Sequence, residues 1–297
     1  MKELGRLLTA MVTPFNEKGA VDYEQAKKLA LALVKSGSDG LVVVGTTGES
    51  PTVTSEEKLR LFGEIKAAVG DKASVVANTG NYSTAESREL TKEAERVGVD
   101  ACLLVVPYYN KPTQEGLYQH FKAIAGGTSL PCIMYNVPSR TVTSLSAETV
   151  IRLSQIDNIV GVKEASGNLE QIARIISGAR QGFRVWSGND GDTLPIMVLG
   201  GYGVISVASH LVGSQLKEMI TQIINGKISE AARLHHRLLP LIKALFLISN
   251  PIPVKYALNY IGFRVGKTRL PLTEPDENTA AAIRDALKDC RIDLPLG

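Results

Sequence analysis

Cysteine and histidine are scarce in this chain, with three cysteines and four histidines in 297 residues. Cys102, Cys132 and Cys290 are an odd number at wide spacings, so no disulfide framework is expected. The first two fall in apolar, strand-like runs where a reduced buried thiol is the default, which suits a reducing cytosol. His120, His210, His235 and His236 lack metal-ligand spacing, and adjacent His235 and His236 point to different helix faces, so no metal is expected. No sign of charge dominates: the net charge is +3 and the basic residues are dispersed. Nucleic acid and membrane surface are therefore not implied as partners, while a modest bias toward anionic metabolites is allowed. Long apolar runs are also missing. Met1 to Phe15 holds only a brief apolar stretch broken by Thr9, Thr13 and Pro14, without a small-residue cleavage site, so neither a targeting segment nor a membrane span is expected and the location expected is cytoplasmic. Nucleotide loops are absent too. Glu49 follows Gly48 where a phosphate loop needs lysine, and Gly201-Tyr202-Gly203 lacks the third glycine of a dinucleotide fingerprint.

Apolar residues make up 44% of the chain and charged residues 21%, ample for a large core. Short β-rich runs alternate with segments of helical period, the pattern of repeated βα units around a parallel sheet. Strands are predicted at Leu7–Thr13, Gly40–Val44, Ser74–Asn78, Ala101–Val106, Cys132–Asn136, Ile159–Glu164, Phe183–Ser187 and Val204–Val207. About eight strands is the number a closed (β/α)8 TIM barrel requires. Thr54-Ser55-Glu56-Glu57 and Ser83-Thr84-Ala85-Glu86 read as capping boxes, structural in purpose. Beyond the eighth unit, Ile228–Leu247, Pro253–Ile261 and Asn278–Lys288 are predicted as helices with no strands between them. The expected organisation is a barrel over residues 1–226 carrying the site, with a C-terminal helical appendage over 227–297.

A barrel places its chemistry at the C-terminal ends of its strands. There the chain sets Gly45-Thr46-Thr47-Gly48-Glu49-Ser50, Pro107-Tyr108-Tyr109-Asn110, Tyr135-Asn136-Val137-Pro138-Ser139-Arg140-Thr141, Lys163 and Ser187-Gly188-Asn189-Asp190. Glycines at 188 and in Gly203-Val204-Ile205-Ser206 would let a small ligand approach the backbone. Lys163 ends the apolar run Ile159-Val160-Gly161-Val162. Burial disfavours the ammonium form, and a neutral amine can attack a carbonyl to form a Schiff base. Each piece has a plainer reading: a lysine paired with Glu164 or snorkelling to solvent, a simple turn at 45–48, packing tyrosines, a surface arginine. Arg140 follows a proline-stiffened turn, which suits a fixed guanidinium fork for a carboxylate.

Taken together, Gly45-Thr46-Thr47-Gly48-Glu49, Tyr108-Tyr109-Asn110-Lys111-Pro112, Tyr135 to Thr141 and Gly161-Val162-Lys163-Glu164 resemble the dihydrodipicolinate synthase family of class I Schiff-base aldolases, over nearly the whole chain. The resemblance implies condensation of pyruvate with L-aspartate 4-semialdehyde to 4-hydroxy-tetrahydrodipicolinate, the committed step toward diaminopimelate and lysine. It implies an imine on Lys163 with no cofactor, and a proton relay of Tyr135, Thr46 and Tyr109. By the same resemblance Thr47 holds the pyruvate carboxylate, backbone near Gly188 and Ile205 completes the pocket, and Arg140 holds the carboxylate of the second substrate. Tyr109 matches a tyrosine donated across a subunit contact, implying a homotetramer of tight dimers. Ser50, Glu86 and Tyr108 match the family's effector residues, but Ser55, Lys58 and Tyr82 depart from regulated relatives, so lysine inhibition is expected to be weak or absent. A sister aldolase such as N-acetylneuraminate lyase or a sugar-acid aldolase, and a non-catalytic keto-acid binder, are the alternatives. Arg140 and the paired threonines speak against the first, the intact set of site residues against the second.

Overall fold

The computed structural model describes residues 3–296. Eight strands close into one parallel barrel in sequence order: β1 Leu7–Ala10, β2 Gly40–Val43, β3 Ser74–Asn78, β4 Ala101–Val105, β5 Cys132–Asn136, β6 Ile159–Glu164, β7 Arg184–Ser187 and β8 Gly203–Ser206. Helices α1 Tyr23–Lys35, α2 Ser55–Val69, α3 Thr84–Val97, α4 Gln114–Ala125, the single-turn α5 Pro138–Thr141, α6 Ala147–Leu153, α7 Leu169–Gly178, α8 Thr193–Val198 and α9 Ser209–Ile224 lie between and after the strands. They are followed by α10 Ile228–Ala244, α11 Ile252–Tyr260 and α12 Glu277–Lys288. Among the described residues no helix is long and apolar enough to cross a membrane.

The strands are apolar on both faces because both are buried. Alternate residues separate into two environments, as the pleat requires. Leu8, Ala10, Val42, Val76, Leu103, Ile133, Tyr135, Trp186 and Ile205 form one buried cluster inside the barrel. Their neighbours Cys102, Leu104, Met134, Val162 and Val185 pack outward against Leu117, Phe121, Val150, Ile172 and Ile175 of α4, α6 and α7. Cys102 and Cys132 are buried, free thiols on paired strands. A further apolar cluster runs from Leu7 and Leu41 through α1, α2 and α9 to Leu238, Val254 and Ile283 of the last three helices.

Five strand ends fall short of prediction, those at Val44, Val106 and Phe183 by one residue, and for the ends of the first and eighth strands the reason is visible. The Val12 N–H donates to His210 Nε2 at 3.1 Å, and the Val207 N–H to Asp190 Oδ2 at 3.0 Å, so side chains draw the backbone out of the sheet. The predicted reciprocal box at Thr54 is present: Thr54 Oγ1 accepts from the Glu57 N–H, and Glu57 Oε2 accepts from the Thr54 N–H at 3.0 Å. At Ser83 only half of the box forms. Asn81 Oδ1 already takes the Ser83 N–H at 2.6 Å, and Glu86 Oε2 accepts instead from Asn81 Nδ2.

Candidate active site

Lys163 lies on β6 directly beside Tyr135 on β5 and Trp186 on β7, so its side chain enters the barrel. The residue is 6% exposed. Its Nζ sits 4.3 Å from the centroid of the Tyr135 ring, and among the described residues it has no hydrogen-bond acceptor and no paired carboxylate. Glu164, the nearest carboxylate in sequence, points to the opposite face. Both its oxygens accept from Asn136 Nδ2 at 3.1 Å, and Oε1 accepts from the Ser166 N–H at 2.8 Å. Burial pushes its carboxyl upward and these donors oppose it. The pleat thus separates two adjacent charged residues, and the lysine keeps an uncommitted amine.

Gly188 follows β7 and touches this lysine. A Cβ there would lie 2.7 Å from Ala165 Cβ and 3.2 Å from Lys163 Cε, so glycine leaves the lysine its place. Ile205 is buried in the barrel interior with Tyr135. Gly203 corrects the expectation of ligand access. A Cβ there would meet the Arg6 carbonyl oxygen at 2.0 Å, so that glycine serves the close approach of the segment before β1.

Thr46 and Thr47 stand on the loop after β2. Thr47 Oγ1 accepts from Asn250 Nδ2 at 2.9 Å, and Arg140, exposed on α5, donates from Nη2 to the Asn250 carbonyl at 3.3 Å. Asn250 therefore ties both predicted carboxylate-binding residues together, while its own Oδ1 is buried without a donor. Thr46 is half-buried, with no side-chain hydrogen bond among the described residues. Tyr109 is 94% exposed and adopts φ +73°, so within one chain it stays apart from Lys163 and Tyr135. Of the effector set, Ser50 Oγ accepts from Asn78 Nδ2 at 3.2 Å, and Glu86 is held by Asn81. Tyr108 stacks edge-on against Tyr82, 5.1 Å between centroids, and burial raises its phenol. Lys58, its ammonium drawn down by burial, feels the Glu86 charge.

Asn250 was missed by sequence reasoning, and Asp190, named there only as part of the Ser187–Asp190 strand end, was given no role of its own. Asp190 is buried behind β8, where Ser206 Oγ donates to its Oδ1 and the Val207 and Ala208 N–H groups donate to Oδ2 at 3.0 and 3.2 Å. Burial raises its carboxyl, against these donors and the Lys163 charge. Its place after the Ser187-Gly188 strand end was a usable signal. Asn250 lies more than a hundred residues from either partner and gave none.

The dihydrodipicolinate synthetase family model matches residues 3–290. A Dehalococcoides mccartyi protein named 4-hydroxy-tetrahydrodipicolinate synthase is 68% identical over 296 residues, covering 100% of both chains. Among solved structures, a lysine-bound dihydrodipicolinate synthase from Cyanidioschyzon merolae superposes with TM-score 0.95 at 47% identity, covering 96% of this chain and 98% of that one. One from Bacillus anthracis gives TM-score 0.95 at 45% identity, covering 98% and 99%. A barrel closed around Lys163, matched along its whole length by such relatives, places this chain in the dihydrodipicolinate synthetase family.

Proposed function

We propose that this chain condenses pyruvate with L-aspartate 4-semialdehyde through a Schiff base on Lys163. The product is 4-hydroxy-tetrahydrodipicolinate, the first committed intermediate toward diaminopimelate and lysine. The observation that carries the assignment of the nucleophile is the uncommitted Lys163 amine over the Tyr135 ring. The Lys163 amine attacks the keto carbon of pyruvate, water leaves, and an imine forms; loss of a methyl proton gives an enamine whose carbon adds to the aldehyde. The substrate's own amine then closes onto the imine carbon and expels Lys163. Carbonyl and lysine supply this chemistry between them, so no bound cofactor is called for.

Tyr135, Thr46 and Tyr109 shuttle the protons. Thr47 binds the pyruvate carboxylate, with backbone near Gly188 and Ile205 completing the pocket. Arg140 binds the carboxylate of the semialdehyde and orients it for attack. Since Tyr109 stands in solvent on strained backbone, a second copy of the chain completes the relay, and the assembly is a homotetramer of tight dimers. Free cysteines suit a reducing compartment, and we assign the chain to the cytoplasm. Ser50, Glu86 and Tyr108 form at most a weak effector site and lysine inhibition is weak or absent, because the Lys58 charge already acts on Glu86 where an added cation would sit.

Borohydride with pyruvate tests the assignment: a reduced adduct on Lys163, absent in Lys163→Ala, is expected, and its absence from the wild-type chain refutes the reading. Turnover with aspartate 4-semialdehyde in preference to N-acetylmannosamine, lost in Arg140→Ala, separates it from a sister aldolase.

A further inference from the structure

A second lysine is buried more deeply than Lys163 and has a different surrounding. Lys255 on α11 is 2% exposed, and its Nζ donates to Glu49 Oε1 at 2.6 Å and to the Lys267 carbonyl at 3.0 Å. The same nitrogen lies 4.1 Å from the Phe15 ring centroid, with the Arg269 guanidinium 4.3 Å from that centroid. Burial lowers its ammonium to about 8, against the pull of Glu49. Two of its three N–H donors are committed, one of them to a carboxylate, so it is no rival nucleophile.

Glu49 is 3% exposed. Its second oxygen, Oε2, accepts from the Arg269 N–H at 2.8 Å, and its backbone is left-handed at φ +59°. A non-glycine residue holds that conformation only where its surroundings over-determine it. Taking two charges out of water offsets much of their attraction, and an apolar pair of like size stabilises a fold equally well. Stability alone therefore does not account for a buried Glu49–Lys255 pair, whereas fixed geometry does.

The geometry it fixes is the loop after β2, which carries Thr46 and Thr47. Further anchors of that loop agree: Thr13 Oγ1 donates to the Gly48 carbonyl at 2.7 Å, Asn250 Nδ2 to Thr47 Oγ1, and Arg269 Nη1 to the Thr52 carbonyl at 2.6 Å. Three of the groups holding it, Asn250, Lys255 and Arg269, come from the C-terminal segment. We infer that Glu49 and Lys255 are positioning residues, a buried clamp by which the C-terminal segment sets the Thr46–Thr47 loop for pyruvate. The inference rests on the aldolase reading above.

Lys255→Met leaves Glu49 unpaired and risks unfolding, so the decisive variant is the neutral double Glu49→Gln/Lys255→Met, made in the full chain beside wild type. Thermal unfolding, steady-state constants for both substrates and borohydride trapping with pyruvate are measured. In a folded double variant, kcat/KM for pyruvate falls about tenfold or more, KM for the semialdehyde stays within about twofold, and pyruvate still traps on Lys163. A double variant that folds and retains wild-type kcat/KM for pyruvate overturns the clamp and leaves the aldolase reading intact. A wild-type protein that traps no pyruvate overturns the aldolase reading, and the clamp with it.

Discussion

Lys163 and Glu164 are neighbours in sequence and opposites in role. One points into the barrel with an open amine, and the other is sealed among amide donors. Tyr135→Phe removes the phenolic hydroxyl of the ring that lies under the amine while keeping the ring, so kcat should drop about a hundredfold or more with unfolding unchanged; steady-state kinetics check this, and an unaltered kcat removes Tyr135 from the relay. Gly188→Ala adds a methyl against Ala165 and Lys163. It should cost about 1–3 kcal/mol of stability through overpacking and slow borohydride trapping by pushing Lys163 aside. Tyr109 was legible as a motif residue, but its near-total exposure within one chain was not, because periodicity does not report how far a loop side chain stands out. Tyr109→Phe should lower kcat with pyruvate trapping retained; a verified monomer with full turnover, unaffected by this substitution, would refute the shared relay.

Among elements, α2 and α3 show how far local rules reach. Both begin with a hydroxyl, two intervening residues and a glutamate, yet only the first closes reciprocally, because Asn81 satisfies Ser83 before Glu86 can. Thr54→Ala should therefore destabilise by about 1 kcal/mol. Glu57→Gln should cost more than Glu86→Gln, since Glu57 also receives the Arg269 guanidinium at 2.6 and 2.8 Å. Urea titrations of the two variants decide the order. The strands were readable almost to the residue: Ser74–Asn78, Cys132–Asn136 and Ile159–Glu164 match prediction end to end. Short apolar runs of strand length carry that information locally. Strand ends decided by a distant His210 or Asp190 do not.

For the whole molecule, acid stability follows from two buried histidines. His210 accepts from Val12 N–H and contacts the Val207 carbonyl through Nδ1 at 2.8 Å, tying the segment after β1 to the segment after β8. Burial lowers both His210 and His120 from 6.5 to about 4. The unfolded chain then takes up these protons first as pH falls, so their contribution is fully present above about 6.5 and is lost progressively toward 4. At most about 3 kcal/mol per histidine is at stake. The stability difference between wild type and His120→Asn should shrink across this window; a difference constant with pH would show that burial does not hold the ring neutral.

Barrel class, strand number and the placing of Lys163, Tyr135 and the Thr46–Thr47 loop at one rim followed from the sequence alone, because alternation, run length and turn residues are local properties of the chain. Tertiary structure decided which buried lysine is uncommitted, that Asn250 joins Thr47 to Arg140, that Gly203 serves packing and not a ligand, and that the C-terminal segment holds the loop after β2. Each of these depends on groups up to about two hundred residues apart meeting in space. Such meetings are fixed by barrel closure and shared burial, which no window of sequence contains.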